Sequence, residues 1–196
     1  SVNATALDPD TLTPGARRIL DAAAELFYER GITAVGVDAV SDASGVTKRT
    51  LYDRFGSKDV LVATYLLERD RRWRAQLTAR LDEVDDAVGR LLVPFAVLEE
   101  WTRGNPRGCA FINALAEMPD HRHPGYAIAV GEKEWLRDLL ESLAADAGFE
   151  DPAGLALQLL CLHEGALASV RITGTRVIAS AESAARSIIA AARGTS

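Results

Sequence analysis

Cysteine is nearly absent: two residues in 196, Cys109 and Cys161, far apart in apolar sequence that reads as helical. That count and placement argue against a secreted disulfide scaffold, and buried reduced thiols are expected. Long hydrophobic runs are missing too. No stretch of eighteen or more uncharged apolar residues occurs, so no membrane span is expected. No basic-then-apolar leader opens the chain, which makes a cytoplasmic location the expectation. Positive charge is in deficit, with 22 Lys and Arg against 28 Asp and Glu and a formal net charge of −6. The whole-chain balance therefore gives no hint of nucleic-acid binding. Runs of β-branched residues are few, and Ala and Leu dominate, which predicts helices. No Gly-rich phosphate loop follows a strand and no G-x-S-x-G elbow occurs. Nothing at residue level supports an enzyme, and no cofactor is expected.

What the chain does have is residues 37–58, VDAVSDASGVTKRTLYDRFGSK. Val37, Val40 and Ala43 recur at helical spacing. Gly45 then breaks the pattern with the one residue type that takes a sharp positive-φ turn without penalty. Val46 follows as an apolar plug, and Thr47 is a good N-cap for the next helix. In that helix Leu51 and Phe55 lie four apart and face inward with Val46. Thr47, Lys48, Arg49, Thr50, Tyr52 and Asp53 are left pointing outward. Two cations, two hydroxyls and a phenol at the start of a short helix suit phosphate oxygens and base edges. The pattern is a helix-turn-helix with residues 47–55 as its recognition helix. Within 47–58 the charges are Lys48, Arg49, Arg54 and Lys58 against a single Asp53. A small basic patch on an acidic chain fits a dimer that meets DNA only through its tips.

The order of a helix, then GITAVGVDAVSDASGV, then TKRTLYDRFGSKDVL resembles the N-terminal DNA-binding domain of the tetracycline-repressor (TetR) family over about residues 14–66. Gly31, Val37, Val40, Gly45, Val46, Thr50, Leu51, Tyr52, Phe55 and Lys58 sit where the family expects their types. The resemblance implies an all-helical dimeric repressor whose C-terminal domain binds a small molecule, and it supports a phosphate contact for Lys58. Two positions depart from the pattern. Gly36 stands where Ser or Thr is usual, so the second helix has a weak cap with no side chain to offer. Asp53 places a negative charge on the exposed face. It either accepts from a cytosine amino group or pairs with Arg49 one turn earlier, and the local pair is the favoured reading. The candidate DNA-binding set is Thr47, Lys48, Arg49, Thr50, Tyr52 and Lys58, with Lys48 and Arg49 reading bases and the others holding phosphates.

The remaining chain reads as an all-α protein of about nine helices. Residues 1–12 are expected to be a disordered or loosely held arm, 13–60 the helix-turn-helix domain, and 61–196 a helical ligand-binding and dimerisation domain. Thr13 and Pro14 start the first helix and Gly31 ends it. Ser57 caps a long fourth helix to about Leu81, so the boundary near residue 60 falls inside a helix. A fifth helix over 85–101 is expected to kink at Pro94. A sixth covers 108–118, a seventh about 123–147, an eighth starts at Pro152 behind an Asp151 cap, and a ninth covers about 176–192. The last two carry small residues such as Ala166, Ala168, Ser169, Ala181, Ala184, Ala185 and Ser187, which permit close helix approach. A homodimer through about 151–193 is expected, since one recognition helix covers too few base pairs for useful specificity.

A small hydrophobic or amphipathic effector needs apolar walls with a few polar groups among them. Candidates are Tyr65, Phe95, Trp101, Phe111, Asn113, Glu117, Tyr126, Trp135, His163 and Glu164, the polar ones because they interrupt apolar helices. Each has a plainer alternative as core or as a group bonded within the fold. His121 and His123 form an H-x-H loop, but HEGAL at 163–167 lacks the second His of a zinc-helix motif, so no metal site is expected. The partners expected are therefore double-stranded operator DNA, an effector and a second copy of the chain, with no membrane. A helical dimer whose helix-turn-helix binds protein instead of DNA is the competing class, kept open by Gly36 and Asp53.

Overall fold

The computed structural model describes residues 5–194, and every regular element among them is helical. A 3-10 turn (Pro9–Thr11) precedes α1 (Pro14–Arg30), α2 (Val37–Ser44), α3 (Lys48–Phe55), α4 (Lys58–Asp82), α5 (Ala87–Arg90), α6 (Val93–Gly104), α7 (Ala110–Glu117), α8 (Tyr126–Asp146), α9 (Pro152–Thr173) and α10 (Arg176–Gly194). Boundaries follow local chemistry. The Thr13 hydroxyl accepts from the Ala16 amide, with Pro14 in the first turn. Thr47 accepts from the Thr50 amide and Ser57 from the Val60 amide. Asp151 accepts from the Gly154 amide ahead of α9. Gly31, Gly45 and Gly56 close α1 to α3 with positive φ, a conformation that disfavours any side chain.

Pro94 does not kink one long helix. The chain breaks at Leu91–Leu92, and Pro94 sits in the first turn of α6, where the missing amide proton is not needed. Residues 5–12 are likewise held rather than loose. The Leu7 amide donates to Thr64 Oγ1 at 3.0 Å, and Arg71 Nη1 pairs with Asp8 and Asp10 at 2.6 and 2.9 Å. Arg17 bonds the Pro9 carbonyl at 2.6 Å and also pairs with Glu68. Composition alone misses this, because most of the order comes from Thr64 and Arg71, more than fifty positions away. Residues 1–4 of the expected arm lie outside the described range.

The chain divides into two compact units. One holds the chain up to Arg72 together with Ala110–Glu132, and the other holds Trp73–Cys109 and the chain from Lys133 onward. In the first, α1 packs against α2 and α3. Ile19, Leu20, Ala23, Val40 and Leu51 are fully enclosed, and Phe27, Val46 and Phe55 nearly so. In the second, α6, α9 and α10 pack on one another. Phe95, Leu98, Leu159, Ala166, Ile178, Ala185 and Ile189 supply the interior there. By length and composition α9 is apolar enough to cross a membrane, with mean hydropathy 1.4 over its best window. Glu164 is the charge that broke its run in the sequence. One face of α9 is buried, while Ala153, Leu157, Cys161, Gly165, Ala168 and Ile172 form an exposed stripe of apolar and small residues. Cys161 is thus exposed rather than buried, and Cys109 is buried.

Leu51 has no solvent exposure and ties α3 to its support. Replacing it with Ala leaves a cavity that should cost about 2–5 kcal/mol. Hydrogen exchange across α1–α3 measures the loss, and unchanged protection would show that α3 is held by other means.

Candidate nucleic-acid interface

The turn between α2 and α3 starts at Gly45, in the left-handed conformation at φ 66° and ψ 17°. Ser41 Oγ donates to the Val46 carbonyl at 2.6 Å and fixes the exit from the turn. Gly36 begins α2 without a side-chain cap. With Leu51 and Phe55 inside, the opposite face of α3 is solvated. Arg49 has 91% of its side chain exposed, and its Nε lies 3.9 Å from Asp53 Oδ2 at i,i+4. Tyr52 is 44% exposed, one of few large apolar surfaces left open. Thr47 Oγ1 and Thr50 Oγ1 lie 2.9 Å apart in a mutual hydrogen bond.

Lys48 has a partner that the sequence did not suggest. Its Nζ is 2.7 Å from Asp38 Oδ1, one helix earlier, and that bond and charge hold the ammonium above its usual pKa. Lys58 too has a partner within the fold. Its Nζ donates to the Ile32 carbonyl at 2.6 Å and lies 6.0 Å from the Phe27 ring centre. The Ile32 amide in turn donates to Glu117 Oε1 at 3.1 Å, and the Thr33 amide to Glu117 Oε2 at 2.6 Å. Glu117, from the end of α7, therefore clasps the α1–α2 turn. Burial raises this carboxyl, but the amide bonds from Thr33 and Ile32, with the Lys58 charge, outweigh it and hold the group below its ordinary value. Gly31 allows the approach: a Cβ there would sit 3.1 Å from Glu117 Oε1.

The other effector candidates fall in both units. Tyr65 and Phe111 are buried in the first, with Tyr65 tilted against Phe27 at 5.9 Å between ring centres. Asn113 is exposed and Tyr126 half-buried in that unit. Phe95, Trp101, His163 and Glu164 belong to the second. There His163 packs on Phe95 and on Trp73, at 5.7 and 5.8 Å between ring centres, and Trp73 meets Trp101 edge-on at 5.4 Å. Glu164 Oε1 accepts from Lys133 Nζ at 2.8 Å and lies 3.4 Å from His163 Nδ1. Burial pushes this carboxyl up, yet His163 and Lys133 overcome that and bring it to about 2. Trp135 stacks beneath the Arg74 guanidinium at 4.9 Å. In the H-x-H loop, His123 Nδ1 accepts from the Gly125 amide at 2.9 Å while Nε2 lies 3.3 Å from Asp59. Both ring nitrogens thus have partners within the fold.

Comparison with known proteins agrees with this geometry. The family described as "Bacterial regulatory proteins, tetR family" matches residues 19–65. A solved TetR-family transcriptional regulator from Streptomyces coelicolor superposes with a TM-score of 0.86 and 32% identity, over 91% of this chain and 96% of that one. The chain belongs to the TetR family. The relatives and solved structures it matches are described as transcriptional regulators. An uncharacterised HTH-type transcriptional regulator of Mycobacterium tuberculosis (strain ATCC 25618 / H37Rv) is 28% identical over 137 residues, 70% of this chain. The match spans only 65% of that relative's own length. HTH-type transcriptional regulator YjdC of Escherichia coli (strain K12) is 28% identical over 158 residues, 79% of this chain and 82% of YjdC.

The Glu117 clasp makes a testable pH dependence. A carboxyl with a depressed native pKa contributes stability above the unfolded value, here near 4.5. That contribution disappears as pH falls through the lower native value. The Ile32 and Thr33 amides should therefore lose hydrogen-exchange protection in acid. Glu117→Ala should lose it at neutral pH by about tenfold or more. Equal protection in wild type and variant would mean that the turn holds itself.

Proposed function

We propose that the protein is a homodimeric repressor that binds a pseudo-palindromic operator through α3 and releases it when a small hydrophobic or amphipathic molecule enters the C-terminal helices. The observation that carries the DNA reading is a rigidly anchored α3 whose N-terminal face offers Arg49 and Tyr52 to solvent. Arg49, held only by a long contact to Asp53, exchanges that carboxylate for a base edge with little loss. Lys48 gives up Asp38 to do the same. Thr47, Thr50 and Tyr52 bond phosphates and set the register. Lys58 shapes the α1–α2 turn, a role supported by its short bond to the Ile32 carbonyl.

The exposed stripe on α9, with small residues on the solvent side of α10, supports dimerisation through 151–193. Paired recognition helices then meet half-sites about one helical turn, ~34–36 Å, apart. A dimer seated on a promoter excludes polymerase by bulk alone, which favours repression. Effector-driven movement of α7 would pull on the turn that Glu117 clasps, and tilt of α4 would move it through Lys58. Either changes the placement of α2 and α3 and so the spacing of the two heads. By reciprocity the operator weakens effector binding by the same factor.

Selection of genomic fragments by the purified protein, then footprinting at two salt concentrations, tests the reading. A protected two-fold symmetric site with salt-sensitive affinity is expected. Arg49→Ala should weaken the specific site by about 1–3 kcal/mol and relax one base position. An unchanged footprint would remove Arg49 from the interface, and transcription that rises when the site is occupied would make the protein an activator. For the dimer, Ala168→Arg puts a charge in the middle of the α9 stripe. Sedimentation should then show a folded monomer that has lost footprinting, and a persistent dimer would move the interface elsewhere.

A further inference from the structure

Two buried nitrogens in the second unit have no protein partner: Trp73 Nε1, from α4, and His163 Nε2, from α9. Trp73 is 4% exposed and His163 1%. Their rings are neighbours, and Phe95 and Trp101 complete an aromatic surround. Polar atoms enclosed this way normally find partners, because each one left unmatched costs about 1–3 kcal/mol. The two are also chemically unlike. An indole N–H can only donate. His163 Nδ1 faces the Glu164 carboxylate, which Lys133 also holds and which stays ionised at neutral pH. An ionised carboxylate only accepts, so the proton that faces it belongs on Nδ1, and in the singly protonated ring Nε2 is an acceptor.

We propose that Trp73 and His163 form the polar end of an effector subsite that takes a neutral hydroxyl on an apolar ring. A hydroxyl accepts from the indole and donates to the imidazole at once, as a water would. An ether or carbonyl satisfies only Trp73, and an ammonium only His163. A carboxylate would face the Nε2 lone pair with the Glu164 charge close behind. The aromatic surround supplies the apolar contact for the ring. This subsite rests on the reading that the C-terminal helices hold the effector, and it adds the chemistry of that molecule.

Phenol, anisole and toluene make the test, because they share a ring and differ in the one group. Calorimetry on the full chain at pH 7, without DNA, should find phenol at least tenfold tighter than either of the others. Anisole keeps the acceptor but has no proton to give Nε2, so it probes His163 without mutation. In His163→Phe, checked for folding by circular dichroism, phenol and toluene should come within about threefold of each other. Equal binding of all three, anisole as tight as phenol, or no binding at all would overturn the subsite. The last result would leave a buried water as the partner of both nitrogens. The footprint without added ligand tests the regulator reading separately. Phenol selectivity that leaves a good footprint unchanged keeps the subsite and removes its control over DNA.

Discussion

Ile32 is the point at which the reading head is fastened. Its amide donates to Glu117 and its carbonyl accepts from Lys58, so one peptide unit on either side of the residue is gripped by opposite charges. Hydrogen bonds to charged groups are worth roughly 1.5–3 kcal/mol each when shielded, and less where water reaches them. Two or three on one turn act beside the apolar contacts of Ile32 and Val35, which are both buried. Because α2 starts five residues after Ile32, the direction of α2, and then of α3 across the Gly45 turn, follows from how that turn is set. The apolar anchors Leu51 and Phe55 fix α3 on α1. The clasp fixes where the chain leaves α1.

The same arrangement explains how a weak signal could have a large effect at DNA. A hundredfold change in operator affinity needs about 2.8 kcal/mol of difference between two states. Under the proposed release, breaking the Glu117 bonds, which water partly reaches, would supply a part of that. The clasp is short-range and geometrically strict, so it responds to displacements of an ångström or less. A larger apolar interface would yield more gradually. α7 belongs to the same unit as α1–α3, so the proposed release would act on the turn through α7.

Much of this was legible in the residues. The α2–α3 unit was readable because its signals are local: Gly45, the Thr47 cap and the Leu51–Phe55 spacing act within one or two turns. The helices from α7 onward were readable for the same reason. Long-range polar pairs were not. Lys58 looked like a phosphate ligand because a cation in a helix's first turn opposes the dipole and asks for another use; the use it has here is Ile32, twenty-six residues earlier. Glu117 looked like a ligand group because it interrupts an apolar helix, and its partners lie more than eighty residues away. Residues 5–12 looked loose because Asp8 and Asp10 meet Arg71 only after folding. Pro94 was misjudged for a different reason. Proline breaks or starts a helix depending on whether a turn precedes it, and the break at Leu91–Leu92 has no sequence mark.

His163 and Trp73 raise a further question of economy. Apart from Thr102, the other buried side chains of the second unit are mostly Leu, Ala, Val, Ile and Phe, which pack without polar atoms to satisfy. A Phe at 163 would fill similar space and free Glu164 from a buried neighbour. Instead the core carries an imidazole with one nitrogen committed to Glu164 and the other unmatched, beside an indole in the same condition. Natural cores tend to accept such local penalties where a functional site requires them. The Lys133–Glu164–His163 chain then has a clear physical consequence: it fixes which nitrogen of the ring bears the proton. A ring of fixed tautomer presents an acceptor rather than an ambiguous edge, and that difference distinguishes a ligand that donates a proton from one that cannot.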